Sequence, residues 1–145
     1  MQLFTFRIKN YRSIQDSGEI SASRITALLG RNESGKSNLL RALSHVNPAG
    51  GMQPLNEVKD FPRNRRLEEC KGSTPVAITT WHLETWEQTH LSKIWQRARP
   101  FEPIKVTRQY DAKRLINGAL LPDHILSLVP LAKNRAQVGG EDGGI

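Results

Sequence analysis

The sequence predicts an α/β fold in which an N-terminal sheet, mixed or antiparallel, leads through a glycine loop into a helix. Three observations carry this. Leu3, Phe4, Phe6 and Ile8 alternate with polar residues, the pattern of a half-buried strand. Gly30-Arg31-Asn32-Glu33-Ser34-Gly35-Lys36-Ser37 fits G-x-x-x-x-G-K-[ST] at every fixed position. Leu39, Leu40, Leu43 and Val46 then recur at the spacing of one helix face.

Taken in order, the first strand is broken by Asn10-Tyr11-Arg12-Ser13, and Asp16-Ser17-Gly18-Glu19 makes a turn. Ile20 to Ser23 suits a second short strand. Ile25-Thr26-Ala27-Leu28-Leu29 is an apolar run expected to form a buried strand entering the glycine loop. The helix that follows should end at Asn47-Pro48-Ala49-Gly50-Gly51. Pro54 to Lys71 is polar, and Arg63, Arg65 and Arg66 lie in its middle. They could grip phosphates, but without interleaved aromatics they suit a solvated loop pairing with Glu68 and Glu69. Pro75 to Leu83 is rich in β-formers. Glu84 to Arg97 suits an amphipathic helix packing through Trp86, Leu91, Ile94 and Trp95, and Phe101 to Tyr110 resumes the sheet before a turn at Asp111-Ala112-Lys113.

The glycine loop implies specific chemistry. A helix N-terminus offers unpaired N–H groups and the positive end of the helix dipole, which together suit phosphate. Gly30 and Gly35 let the backbone turn tightly and present successive N–H groups without a Cβ in the way. Lys36 would reach the β- and γ-phosphates, and the Ser37 hydroxyl would ligate the Mg²⁺ that bridges them. Gly30, Arg31, Asn32, Glu33, Ser34, Gly35, Lys36, Ser37 and Asn38 are therefore the expected nucleotide contacts.

Composition narrows the setting. The chain has 145 residues, a length suited to one domain or one piece of a larger one. It carries a net charge of +7, with a pI near 10.0 and a mean hydropathy of −0.51. Such a surface attracts anions, nucleic acid among them. The single cysteine, Cys70, excludes an internal disulfide and a cysteine-based zinc cluster. His45, His82, His90 and His124 show no metal-ligand spacing. No apolar stretch is long enough to span a membrane and the N-terminus lacks a signal peptide's apolar core, so a cytoplasmic location is expected.

Phe6-Arg7-Ile8-Lys9-Asn10-Tyr11-Arg12-Ser13-Ile14, followed by Ile25 to Leu40 with the glycine loop inside it, resembles the opening of SMC/RecF-type ABC ATPases. Within that group it is most similar to the OLD (overcoming lysogenization defect) family of ATP-dependent endonucleases, toward which Glu33 leans. The resemblance implies a partial P-loop NTPase head over 1–145, and the glycine-rich composition of 138–145 reads as a flexible tail. It implies ATP with Mg²⁺ as ligands, and Arg12 as a further nucleotide contact, the alternative being a solvated loop arginine. It also implies a homodimer of heads or a C-terminal partner half, DNA as the substrate of the complete protein, and a role in DNA repair or phage defence.

Hydrolysis in this superfamily needs a Walker B strand ending in Asp-Glu. The nearest stretch, Ala119-Leu120-Leu121-Pro122-Asp123-His124, fails because Pro122 interrupts a central strand and His124 stands where the glutamate belongs. No Leu-Ser-Gly-Gly-like signature occurs, so no catalytic residue is assigned. The expected function is an ATP-binding front segment lacking hydrolytic and nuclease parts. The alternatives are a non-catalytic nucleic-acid-binding or regulatory fragment, and, less favoured, a complete small P-loop kinase or GTPase. Against the last, no Asn-Lys-x-Asp guanine motif is present.

Overall fold

The computed structural model describes residues 1–31, 35–94, 103–117 and 119–120. Ten residues, Gln2–Tyr11, form the long first strand β1. Short strands β2 (Ile14–Asp16) and β3 (Ile20–Ser21) fold back onto it. Helix α1 spans Lys36–Ser44, and a one-turn helix α2 spans Glu57–Asp60. Strand β4 (Pro75–His82) is followed by helix α3 (Thr85–Ile94), and strands β5 (Ile104–Gln109), β6 (Arg114–Ile116) and β7 (Ala119–Leu120) complete the sheet. The order is β2-β1-β4-β5-β6-β7, with β3 also on β1, and every pairing is antiparallel.

Register aligns the core. Phe6 pairs with Thr79 and Thr79 with Val106, while Ile8 pairs with Ala77. Ile8, Ala77 and Thr79 are fully buried. Against this layer α1 sets Ala42, Leu39 and Leu43, and Val46 follows just beyond the helix. The expected stripe therefore holds except at Leu40, which is 53% exposed at the rim. The buried stripe is 39, 42, 43 and 46, with the small Ala42 allowing close approach of helix to sheet.

Three other expectations are corrected. Ile25–Leu29 is not a buried strand: no ladder pairs it, and Ile25 and Leu29 are 89% and 93% exposed. A strand is buried by its neighbours, and β1 already spends its two edges on β2/β3 and β4. The polar stretch after α1 is not simply a solvated loop, because it contains α2, a 3₁₀ turn at Leu67–Glu69, and buried Asp60, Phe61 and Cys70. Arg65 does pair with Glu69, at 2.5 Å, but it also donates to the Asn10 side chain and covers the Phe61 ring. Trp86 is 48% exposed rather than packed; its indole N–H donates to Glu84 on the surface. The expectations at Trp95, His124, the Pro122 segment and the tail at 138–145 lie outside the described residues, as do the side chains of Leu91 and Ile94.

Strands β3, β4 and β5, the helix at Thr85–Ile94 and the turn after β5 fall within the stretches the sequence assigns them. In contrast, β1 runs on through Asn10 and Tyr11, where a break is expected, and the short strands β2, β6 and β7 are set by pairing with their neighbours and are not expected from the sequence. Cys70 is a buried free thiol whose pKa burial pushes up, which suits packing rather than reactivity. Among the described residues no group of His, Cys, Asp and Glu could hold a metal ion. No described helix is long and apolar enough to cross a membrane.

Candidate nucleotide-binding site

The glycine loop leads directly into α1. Gly35 is the N-cap, with φ +84, a left-handed conformation that glycine adopts without strain. A Cβ at this position would lie 3.4 Å from the Ser13 hydroxyl, so the loop closes against the β1–β2 turn. The first α1 bond runs from Leu39 N–H to the Gly35 carbonyl at 2.9 Å. The N–H groups before it have no carbonyl within the helix to bond, and the first turn holds no acidic residue to offset the dipole.

Lys36 folds back over the loop. Its Nζ donates to the carbonyl oxygens of Gly30 and Arg31, the latter at 2.5 Å. The ammonium is thus tied to the backbone where the glycine loop begins. Ser37 is exposed at the helix start, and Asn38 donates through Nδ2 to the Ser13 hydroxyl at 3.0 Å. Gly30, Arg31, Gly35, Lys36, Ser37 and Asn38 therefore lie around the start of α1. Asn32, Glu33 and Ser34 lie outside the described residues.

Arg12 is carried to the same place by the β1–β2 turn, next to the Ser13 that touches both Gly35 and Asn38. Its guanidinium is not simply solvated. Nε donates to Asp60 Oδ1 at 2.9 Å, and its carbon lies 5.3 Å from the centre of the Tyr11 ring. The bond to Asp60 raises the Arg12 pKa further and keeps the charge fixed. Tyr11 in turn packs against His45 just past α1, with ring centres 5.8 Å apart. Burial holds His45 below the usual imidazole value, outweighing the attraction of Asp60.

Two contributors escaped the sequence reading, Ser13 and Asp60. Ser13 lies in the expected break after the first strand, but no local signal marks its hydroxyl as a contact of the glycine-loop helix. Asp60 sits in a charged stretch in which nothing local marks it as buried.

Comparisons with known proteins bear on the family and the fold. The profile of the AAA ATPase domain family matches residues 1–108. No curated protein matches the sequence. The fold is similar to that of a solved chain from work on the structural biochemistry of ATP-driven dimerization and DNA-stimulated activation of SMC ATPases, with a TM-score of 0.56 and 16% identity over 99% of this chain and 87% of that one. An α/β fold of the SMC ATPase head type, its glycine loop set at the start of α1, accompanies a family match over most of the chain: this protein belongs to the AAA ATPase domain family.

Proposed function

We propose that this chain binds Mg-ATP through Gly30 to Asn38, with Arg12 as a second source of positive charge. The observation that carries the reading is the Lys36 ammonium held over the loop by the Gly30 and Arg31 carbonyls, beside a helix start free of acidic residues. Arriving phosphates would exchange carbonyl partners of Lys36 for charged oxygens, and charge-assisted bonds are the stronger kind. The first-turn N–H groups of α1 would receive the same phosphates. Mg²⁺ suits the exposed Ser37 hydroxyl, because it binds through few protein ligands and keeps phosphate oxygens and waters for the rest.

The larger reading is an ATP-binding segment of an OLD-like ATPase that acts on DNA in the cytoplasm. The SMC-type fold, the +7 charge and Glu33 in the loop support it. The exposed apolar segment Ile25–Leu29, directly before the loop, suits a second copy or a C-terminal half that would supply neighbouring strands. Without such a partner the chain binds nucleotide weakly and turns it over negligibly, since no general base is assigned.

The test is a titration of the 145-residue chain with a fluorescent ATP analogue and Mg²⁺, with GTP as competitor and Lys36→Ala alongside. Binding that favours ATP and is lost in Lys36→Ala supports the site. Equal affinity in Lys36→Ala overturns it and favours a charge-driven nucleic-acid fragment, whose signature is salt-dependent DNA binding indifferent to ATP. ATP turnover by the isolated chain that disappears in Lys36→Ala would refute the claim of negligible hydrolysis.

A further inference from the structure

Asp60 is a buried carboxylate paired with one residue of the nucleotide site, Arg12. Its side chain is 8% exposed. Oδ1 accepts the Arg12 Nε–H at 2.9 Å, and Oδ2 accepts the Asn56 backbone N–H at 3.0 Å. Its backbone carbonyl accepts the Arg12 N–H at 2.6 Å. A buried carboxylate is costly unless it is both paired and hydrogen-bonded. Here Arg12 supplies the charge and one of the carboxylate's bonds, Asn56 supplies the other, and the Arg12 main chain adds a bond to the Asp60 backbone carbonyl.

The consequences fall on Arg12. Its φ of +50 is a left-handed conformation that a bulky residue keeps only when its surroundings hold it, and the bond to the Asp60 carbonyl does so. Its Nε is engaged, and its plane is set near the Tyr11 ring. The two Nη groups make no hydrogen bond among the described residues, so the free edge of the guanidinium fork is the Nη edge. Residue 13 is then tied through its hydroxyl to Asn38 in the first turn of α1. Arg12-Ser13 is thus fastened to α2 on one side and to the glycine-loop helix on the other.

We infer that Asp60 is a positioning residue for phosphate recognition. It fixes the Arg12 guanidinium so that its Nη edge meets a phosphate oxygen of the nucleotide held by Gly30 to Asn38. The inference rests on the nucleotide-binding reading above and adds to it a residue from outside the loop, on α2, that acts only through Arg12.

A double-mutant cycle tests it. Mg²⁺ and a fluorescent ATP analogue are titrated into the wild-type chain, Arg12→Ala, Asp60→Asn and the double variant, below the melting temperature of each. Lys36→Ala serves as the control for the site. Each single variant is expected to bind about tenfold more weakly, the size of one lost charge-assisted contact, and the double variant no more weakly than Arg12→Ala. Unchanged affinity in Asp60→Asn, or losses that multiply to about a hundredfold, would overturn the inference, because either result assigns Asp60 a purely structural role. Undiminished binding in Lys36→Ala overturns the nucleotide site and the inference with it. Weak binding in Lys36→Ala with normal binding in Asp60→Asn removes the inference alone. If Asp60→Asn does not fold, ¹⁵N NMR of the wild type decides: the Arg12 Nε–H signal should persist on adding nucleotide while the Nη signals shift. Its disappearance would overturn the inference.

Discussion

Replacing Ile25 and Leu29 together with serine should barely change the stability of the chain. A fully buried Ile or Leu side chain contributes about 1.5–3 kcal/mol relative to an exposed one. With exposures of 89% and 93%, only about a tenth of that is at stake at each position, or about 0.2 kcal/mol. Were this segment a core strand, each truncation would instead cost about 2–5 kcal/mol. Ile8→Ala is the internal standard: Ile8 is fully buried between β4 and the α1 layer, and its loss should fall in that larger range. Urea unfolding followed by circular dichroism reads both. The double serine variant should share the wild-type midpoint within error, while Ile8→Ala moves far below it. A drop of 2 kcal/mol or more in the serine variant, with the slope unchanged, would show that Ile25–Leu29 is buried in solution and would refute the exposed-segment description.

Removing the Tyr110 hydroxyl by Tyr110→Phe should cost about 1–2 kcal/mol, because it donates to the buried Asn10 carbonyl at 2.7 Å and would leave that acceptor unpaired; a melt unchanged from wild type would remove this bond from the account. Gly35→Ala should destabilise by about 1–2 kcal/mol through its φ of +84 and weaken nucleotide binding in the same titration, since the strain falls on the loop itself. Stability should also depend on pH through His45. Burial depresses its folded pKa, Asp60 opposes that shift, and Arg108 and Arg12 reinforce it. The contribution is therefore complete above the unfolded value of about 6.5 and is lost as pH falls from there through the folded pKa. Chemical melts at pH 7.5 and pH 5 should show the decline in wild type and a smaller one in His45→Gln; equal declines would exclude His45 as its source.

The parts of this fold legible in the sequence are those set by local chemistry. β1 reads from the alternation of Leu3 to Ile8, α1 from the glycine loop and the spacing of Leu39, Leu43 and Val46, and β4 from a run of β-formers. What failed depended on distant partners. Ile25–Leu29 has the composition of a central strand, but centrality is conferred by neighbours, and among the described residues none flanks it. Leu40 fits the helical stripe by spacing but lies 53% exposed, while Ala42 is fully buried against the sheet. Trp86 finds a surface carboxylate in place of a core. Asp60 was invisible for the opposite reason: polar stretches read as solvated, and only a cation 48 positions away makes burial of this one tolerable.

The same distinction runs through the nucleotide site. Its loop is written in eight consecutive residues, yet the wall opposite is built from long-range bonds. Asn10 and Arg12 both take left-handed conformations, which asparagine tolerates and a bulky arginine does not favour. Asn10 is held by the Tyr110 hydroxyl, by Arg65 and by its own bond to the Pro75 carbonyl, and Arg12 is held by Asp60. The turn at the end of β1 is therefore held by the 56–69 segment and by the residue after β5, neither of which carries a nucleotide motif. Because Ser13 transmits that geometry to Asn38 and abuts Gly35, the loop is shaped from both sides, and a change in α2 can reach the phosphate site without altering any residue of the motif.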